Sequence, residues 1–434
     1  MVKTNPLLWA AVFCAVCVYC PLLSAGRRDA YASLVPLSCT RSLDCRLCAS
    51  PAKSAAVPGA PYRCTAAVFR SYGRLSGGSI ASDAAGSLAL SLPAPLVESL
   101  YPGRLYSEAS GGGLDGGRGG FLMEDGASFR VTGRWNEAKA VFEVSRAQDL
   151  GWGTGLLPSL LYTRALARLS FKRLLAAWGR AGGLVLALLS GSREYLDPAL
   201  VESFRLAGLS HILALSGMHL SFFSSLFGLS SRGFSAARLF GLPQRQCFLP
   251  ALSGIGLFVF FAGLSPSLFR AFLCLFLLSL CARFCVPGAD GRAVLGAVFL
   301  VHLLLRPEDV HTPAFMLSYA ATAGILLLAA PCERILTPLL PPALASPLAV
   351  SAAACAATAP LSLGLFGTAA PAGVLACLVV SPLVSLFLLL SLASVAASLA
   401  VPALSPLCGV LLNVLYALIA RAAGCFALLP QISV

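Results

Sequence analysis

PAGVLACLVVSPLVSLFLLLSLASVAASLA, from Pro371 to Ala400, carries no charged side chain and decides the class of this chain. A hydrocarbon core needs roughly 20 consecutive apolar residues per helix. The run is long for one pass, and Pro382, which removes a backbone donor, marks where its helix would kink. The pattern continues on both sides. No Asp, Glu, Lys or Arg occurs from Ile335 to Ala420, a stretch with room for about three or four spans. Of 434 residues, 58% are hydrophobic and 11% charged, and mean hydropathy is +0.83. Soluble domains carry about 25% charged residues, so a water-soluble enzyme or binding module is excluded for most of the chain.

Further apolar runs predict spans near Phe204–Leu229, Gln246–Gly263, Ser265–Arg283, Arg292–Leu305, Thr312–Ala330, Pro347–Phe366 and Pro406–Leu429. Asp197-Pro198 is a strong helix start, because the carboxylate caps free N–H groups and proline suits the first turn. Loop charge orients the spans. With Lys3 in the cytoplasm, Arg232, Arg238, Arg245, Arg283, Arg292 and Arg334 fall inside. Arg270 and Arg306 then fall outside with Glu308 and Asp309, which is the sense of the positive-inside rule. The net charge is +13, and from Arg205 onward ten Arg face only Asp290, Glu308, Asp309 and Glu333. Positive-inside bias explains part of that excess, and a polyanionic cargo would suit the rest.

The N-terminal third has another character. Leu7–Ala25 is apolar and about one span long, and it fits either a membrane anchor or a signal peptide cleaved near Leu23-Ser24-Ala25. Residues 27–150 hold fourteen Lys and Arg and eleven Asp and Glu. They alternate with period two in Arg63–Arg70, Ser87–Leu92, Ser128–Gly133 and Ala138–Val144, which predicts β-strands, with a glycine-rich loop at Gly111–Gly120. About five short strands fit a small barrel of the oligonucleotide/oligosaccharide-binding (OB) type. Cys39, Cys45, Cys48 and Cys64 cluster here. Outside the cytoplasm disulfides are their natural state and free thiols the alternative; Cys45-x-x-Cys48 lacks the second pair or nearby His that zinc needs. In Leu157–Trp178, Arg164, Arg168 and Lys172 share one helical face, and Leu157, Leu160, Leu161, Leu169 and Leu175 supply apolar surface. A basic amphipathic helix of this kind is expected in the membrane interface, so residues 151–196 form a separate interfacial segment.

Four segments, in order, resemble the ComEC competence family. The first runs from Leu196-Asp197 to Gly208-Leu209-Ser210-His211-Ile212-Leu213-Ala214-Leu215-Ser216-Gly217-Met218-His219, similar to a Gly-Leu-x-His-Leu-Leu-Ala-Ile-Ser-Gly-Leu-His signature. The second, Gly263-Leu264-Ser265-Pro266-Ser267-Leu268-Phe269-Arg270-Ala271, resembles Gly-x-Ser-Pro-Ser-x-x-Arg-Ala. The third is Pro313-Ala314-Phe315-Met316-Leu317-Ser318-Tyr319-Ala320-Ala321-Thr322-Ala323-Gly324-Ile325, with Met316 where the family has Gln. The fourth links Thr358-Ala359-Pro360, Phe366-Gly367 and Ser381-Pro382-Leu383-Val384-Ser385, with Cys377 where the family often has Asn. The resemblance implies an uncleaved anchor (1–26), an extracytoplasmic OB-like domain (27–150) and a competence-type channel domain (197–434). The fold class is thus an all-α polytopic membrane protein with a small N-terminal all-β domain. It also implies a plasma-membrane channel that takes up single-stranded DNA in natural transformation. Its partners would be membrane lipid, a DNA receptor, a cytoplasmic ATP-driven motor and a separate nuclease, with a homo-oligomer left open. Many members end in a metallo-β-lactamase-like domain, but His211, His219, His302 and His311 form no His-x-His-x-Asp-His site. No cofactor, metal or hydrolytic activity is therefore expected of this chain. Many members also have more than one span before the OB region, where one is read here.

Polar groups within spans tend to face cavities, which nominates His211, Ser216, Gly217, His219, Ser265, Arg270, Ser318 and Thr322 for the DNA path. His211 and His219 lie about 80° apart on a helix, too far for a tight metal pair, and interhelical hydrogen bonding is their alternative role. Ser265-Pro266 starts the helix of Arg270. Helix starts welcome anions, and a guanidinium there makes a phosphate contact, with snorkelling to the interface as its rival. On the OB-like domain, Phe69, Tyr72, Phe129 and Trp135 are the candidates for base stacking. Two other functions compete: a small-anion secondary transporter, which an inverted repeat would favour, and a reduced, non-transforming paralogue. An intramembrane hydrolase is disfavoured because no acid lies near His211 or His219 within the span and no His-Glu-x-x-His occurs.

Overall fold

Strictly alternating burial builds the N-terminal barrel. The computed structural model describes residues 32–33, 35–48, 52–53, 61–75, 78–96, 124–193, 195–213, 217, 220, 223, 248–283 and 290–433. The strands are β1 (Ala32–Ser33), β2 (Thr40–Leu47), β3 (Ala52–Lys53), β4 (Tyr62–Leu75), β5 (Gly78–Ala85), β6 (Ser87–Leu92), β7 (Ser128–Asn136) and β8 (Val141–Gly151). Leu43, Cys45 and Leu47, then Cys64, Ala66 and Val68, then Leu88, Leu90 and Leu92 all point inward, joined by Phe129, Val131, Phe142 and Val144. Period-two patterning puts every second side chain on one face, so each strand lends one face to a common core.

The pairing closes into a ring: β2–β4, β4–β6, β6–β8, β8–β7 and β7–β2. Only β6–β8 is parallel among these five. A closed five-stranded barrel with this order is the OB arrangement, so the expected N-terminal domain is present. β5 folds back on the distal half of β4, and β1 and β3 add short edges. The strand expected at Ala138–Val144 starts at Val141, because the chain turns before it with Ala140 at φ 49°.

The helices are α1 (Leu156–Ala176), α2 (Gly179–Ser190), α3 (Pro198–Leu206), α4 (Phe248–Ala262), α5 (Pro266–Arg283), α6 (Gly291–Leu305), α7 (Pro313–Leu336), α8 (Pro342–Phe366), α9 (Gly373–Ala400) and α10 (Ser405–Ala427). Four stretches are long and apolar enough to cross a membrane: Pro313–Leu336, Pro342–Phe366, Gly373–Ala400 and Pro402–Ala427. Only 17, 11, 33 and 28% of their apolar windows are buried within the protein. Leu327, Leu339, Leu399, Leu407 and Val410 stand exposed. Contiguous apolar surface on that scale is unstable in water and needs lipid, so this is a membrane protein. Where helices do touch, small residues allow it. A Cβ on Gly324 would lie 2.4 Å from Ala357 Cβ and 2.8 Å from Ala353 O, which sets the close approach of α7 to α8.

Asp197 caps α3 as expected, accepting from Ala199 N at 2.9 Å. The span expected to begin at Phe204 does not continue from that helix. α3 ends at Leu206, and Gly208, at φ +72°, turns the chain against Ala370. Half of that expected span lies outside the described residues, as do the anchor at 1–26 and the Gly111–Gly120 loop. Asn413 ties α10 to α2, donating to Trp178 O at 2.9 Å and accepting from Ala181 N at 3.3 Å.

The basic face of α1 turns inward. Arg164, Arg168 and Lys172 are 8, 6 and 2% exposed, whereas Leu156, Leu157 and Leu160 on the same helix are exposed. Lys172 Nζ lies 2.5 Å from Glu124 Oε1, Arg168 Nε 3.5 Å from Glu124 Oε2, and Arg164 NH1 2.9 Å from Asp125 Oδ2. The charged stripe therefore meets acids of the barrel domain rather than lipid headgroups or DNA. Arg164 also reaches Phe261 O at the end of α4, at 3.5 Å. Asp125, Arg164 and Phe261 thereby connect the barrel to the α4–α5 end of the helices.

Candidate functional site

Polar side chains in α5 and α7 meet one turn inside the α4–α5 end. Ser265 precedes α5, and its hydroxyl accepts from Leu268 N at 3.4 Å. Arg270 sits four residues beyond Pro266, about 6 Å along the axis at 1.5 Å per residue. Its guanidinium crosses to α7, where NH1 donates to Thr322 Oγ1. Thr322 in turn donates to Ser318 O at 2.9 Å, and the hydroxyls of Ser318 and Ser267 are 3.1 Å apart. Ser318 and Thr322 are four apart and so share the face that looks at α5. A Cβ built on Gly217 would lie 3.8 Å from Arg270 NH2, which brings Gly217 to the same place.

Arg270 is 9% exposed, its Nε has no partner, and no carboxylate pairs with it among the described residues. The other buried cations differ: Arg164, Arg168 and Lys172 each face a carboxylate. A charged guanidinium taken out of water without an opposite charge is costly. A neutral threonine hydroxyl offsets little of that, so among the described residues the guanidinium has no balancing negative charge.

The structure brings together Gly217, Arg270, Ser318 and Thr322, and leaves Ser265 at the start of α5. His211 lies elsewhere, with Nε2 3.5 Å from Cys377 Sγ on α9. Ser216 and His219 lie outside the described residues. Behind the arginine, sequence reasoning offers Tyr319 as neutral polar lining but misses His302 and Asp309. His302 Nδ1 is 3.1 Å from the Tyr319 hydroxyl and its Nε2 3.1 Å from Asp309 Oδ2. The available signal was Asp309 itself, one of four acids after Phe204, seven residues from a histidine in an apolar helix.

On the barrel, β4 and β6 correspond to the second and third strands of the OB arrangement, whose face takes oligonucleotides in such folds. Arg63, Thr65, Ala67 and Phe69 stand exposed along it, Phe69 at 46%. Two stacking candidates are corrected. Phe129 points into the barrel core at 2% exposure, and Trp135 packs against that core. Tyr72 is committed to an ion pair: its hydroxyl donates to Asp44 Oδ2 at 2.8 Å, and Arg130 Nε donates to Asp44 Oδ1 at 2.7 Å. Burial alone would raise the Asp44 carboxyl, but the bonds from Arg130 and Tyr72 outweigh it and hold the group below the usual carboxylate range. Cys45 and Cys64 are free thiols in the barrel interior, and burial pushes both up to about 12.

A family profile described as "Competence protein" matches residues 188–434. ComE operon protein 3 of Bacillus subtilis (strain 168) is 26% identical over 160 residues, which cover 36% of this chain and 19% of that protein. No solved structure matches.

Proposed function

The chain belongs to the ComEC competence family, and from that membership we propose that it is the plasma-membrane channel that passes single-stranded DNA into the cytoplasm during natural transformation. Arg270 carries this reading. A buried cation with an unpartnered donor and no carboxylate among the described residues awaits an anion, and successive phosphates of a moving strand would supply one transiently. Ser318, Thr322 and Gly217 give the strand neutral, low-profile neighbours. The barrel lies outside the cytoplasm and offers the strand its exposed β4–β6 face, with Phe69 as a stacking platform. The ion cluster on α1 ties the barrel to the end of the helices where Arg270 sits. The chain conducts and does not cut: a separate nuclease, a DNA receptor and a cytoplasmic ATP-driven motor complete the machinery.

The test is uptake of labelled duplex DNA by cells lacking this gene. Surface-bound label should persist while cytoplasmic strand disappears, and the chain supplied in trans should restore it; undiminished cytoplasmic label in the deletion strain would refute the reading. The placement of the barrel is tested separately. In intact spheroplasts at neutral pH, a membrane-impermeant maleimide should modify the half-buried Cys39 and spare Cys45 and Cys64, whose thiols stay protonated. Modification of Cys39 only after lysis would put the barrel in the cytoplasm.

A further inference from the structure

Arg270 leans on a polar chain that the proposed channel function leaves unused. Tyr319, one turn before Thr322 on α7, has its ring centroid 5.8 Å from Arg270 Cζ. That is within reach of a cation–π attraction, which strengthens away from water. The Tyr319 hydroxyl meets His302 Nδ1, and His302 Nε2 meets Asp309 Oδ2, both at 3.1 Å. His302 is fully buried, and Asp309 and Tyr319 are 5 and 8% exposed. Asp309 also faces Arg306 Nε at 3.4 Å, and Arg306 donates to Leu264 O at 2.5 Å, just before α5. Three helices and the turn before α7 thus meet in one line of contacts that ends under the unpaired guanidinium.

We propose that His302 and Asp309 are positioning residues for the phosphate contact, acting through Tyr319; the inference rests on the reading of Arg270 given above. In the tautomer that donates from Nε2 to the Asp309 carboxylate, the lone pair on Nδ1 takes the Tyr319 proton. The other acceptor for that hydroxyl, Val298 O, is farther, at 3.5 Å. His302 therefore decides where the hydroxyl points, and the hydroxyl fixes the ring. The rings of Phe269 and Phe315, each 4.9 Å from the His302 ring, hold the imidazole edge-on and leave it one orientation. With Tyr319 fixed and Thr322 accepting, the guanidinium is held across α7 with its Nε still open. A planar fork must be aimed to grip a phosphate in two places, whereas a point charge need not be.

The experiment measures cytoplasmic uptake of labelled DNA divided by the amount of protein in the membrane. His302→Ala should lower uptake per molecule by about tenfold, the scale of a lost desolvated cation–π contact. Tyr319→Phe keeps the ring but severs the link, and should do nearly the same. His302→Gln, which still offers a polar partner to both neighbours, should recover part of the loss. In an Arg270→Lys background, adding His302→Ala should cost less than about threefold, because an ammonium needs less aiming. An equal loss from His302→Ala in the parent and in the Arg270→Lys protein would overturn the proposal. So would Tyr319→Phe protein with normal uptake per molecule, or His302→Ala protein that loses abundance but not uptake per molecule. If Arg270→Ala itself transports normally, the phosphate contact fails as well; if it does not and His302→Ala does, only the positioning role falls.

Discussion

Arg270→Glu lowers cytoplasmic DNA uptake per membrane-inserted molecule by about a hundredfold or more, Arg270→Ala by roughly tenfold to a hundredfold, and Arg270→Lys leaves partial activity. The order follows from what the guanidinium does for a passing strand. Its loss to alanine removes charge-assisted hydrogen bonds, each about 1.5–3 kcal/mol. Lysine restores the charge but not the two-pronged grip, and glutamate sets like charge against each phosphate. A snorkelling arginine gives another order, with lysine nearly normal and alanine depleting the protein from the membrane as much as it depletes uptake. The geometry already disfavours snorkelling, because the side chain crosses to Thr322 on α7 and is 9% exposed. Labelled DNA in the cytoplasm and immunoblots of the membrane fraction decide between the two. Uptake per molecule unchanged in Arg270→Glu would remove the phosphate contact altogether.

What the sequence could reveal here depended on the range of the interaction. Local period-two alternation was enough to place β4, β6, β7 and β8, because burial of every second side chain is a property of each strand alone. Closure of the ring was not legible in the same way: the parallel β6–β8 pair joins Leu90 to Phe142, and nothing local to either records the other. The stripe of Arg164, Arg168 and Lys172 shows the same division. Their four-residue spacing fixed a common face, but the face's partner, Glu124, lies 48 residues before Lys172. Without that acid in view, lipid headgroups were the natural destination. Phe129 was read as a stacking platform because an aromatic in an alternating strand fits either face, and only the register with Cys45 sends it inward. At the candidate site, Arg270, Ser318 and Thr322 were legible because polar residues stand out in apolar helices. His302 stands out equally, but its bond to Tyr319 joins two different helices, and nothing local to either residue records the other.

Glu124→Ala should destabilise the protein more than any other single change on the barrel side. Glu124 is 1% exposed and faces Lys172 at 2.5 Å and Arg168 at 3.5 Å. Removing the acid strands two cations away from water, and breaking one buried pair this way costs about 3–5 kcal/mol. Thermal unfolding in detergent should fall by roughly 5–10 °C, and protease should release the barrel from the helices sooner than in the parent. Glu124→Gln should lie between, since the amide still accepts from Lys172 but brings no charge. The penalty belongs to the unpaired cations rather than to the lost bond. Replacing all three groups, as Glu124→Leu with Arg168→Leu and Lys172→Met, should therefore recover much of the stability that Glu124→Ala loses. DNA uptake need not recover with it, because the same cluster sets the barrel toward the α4–α5 end through the neighbouring Asp125–Arg164 pair. A triple variant as unstable as Glu124→Ala would show that the three side chains are held by packing alone, and a Glu124→Ala protein that melts with the parent would show that the cluster carries no load.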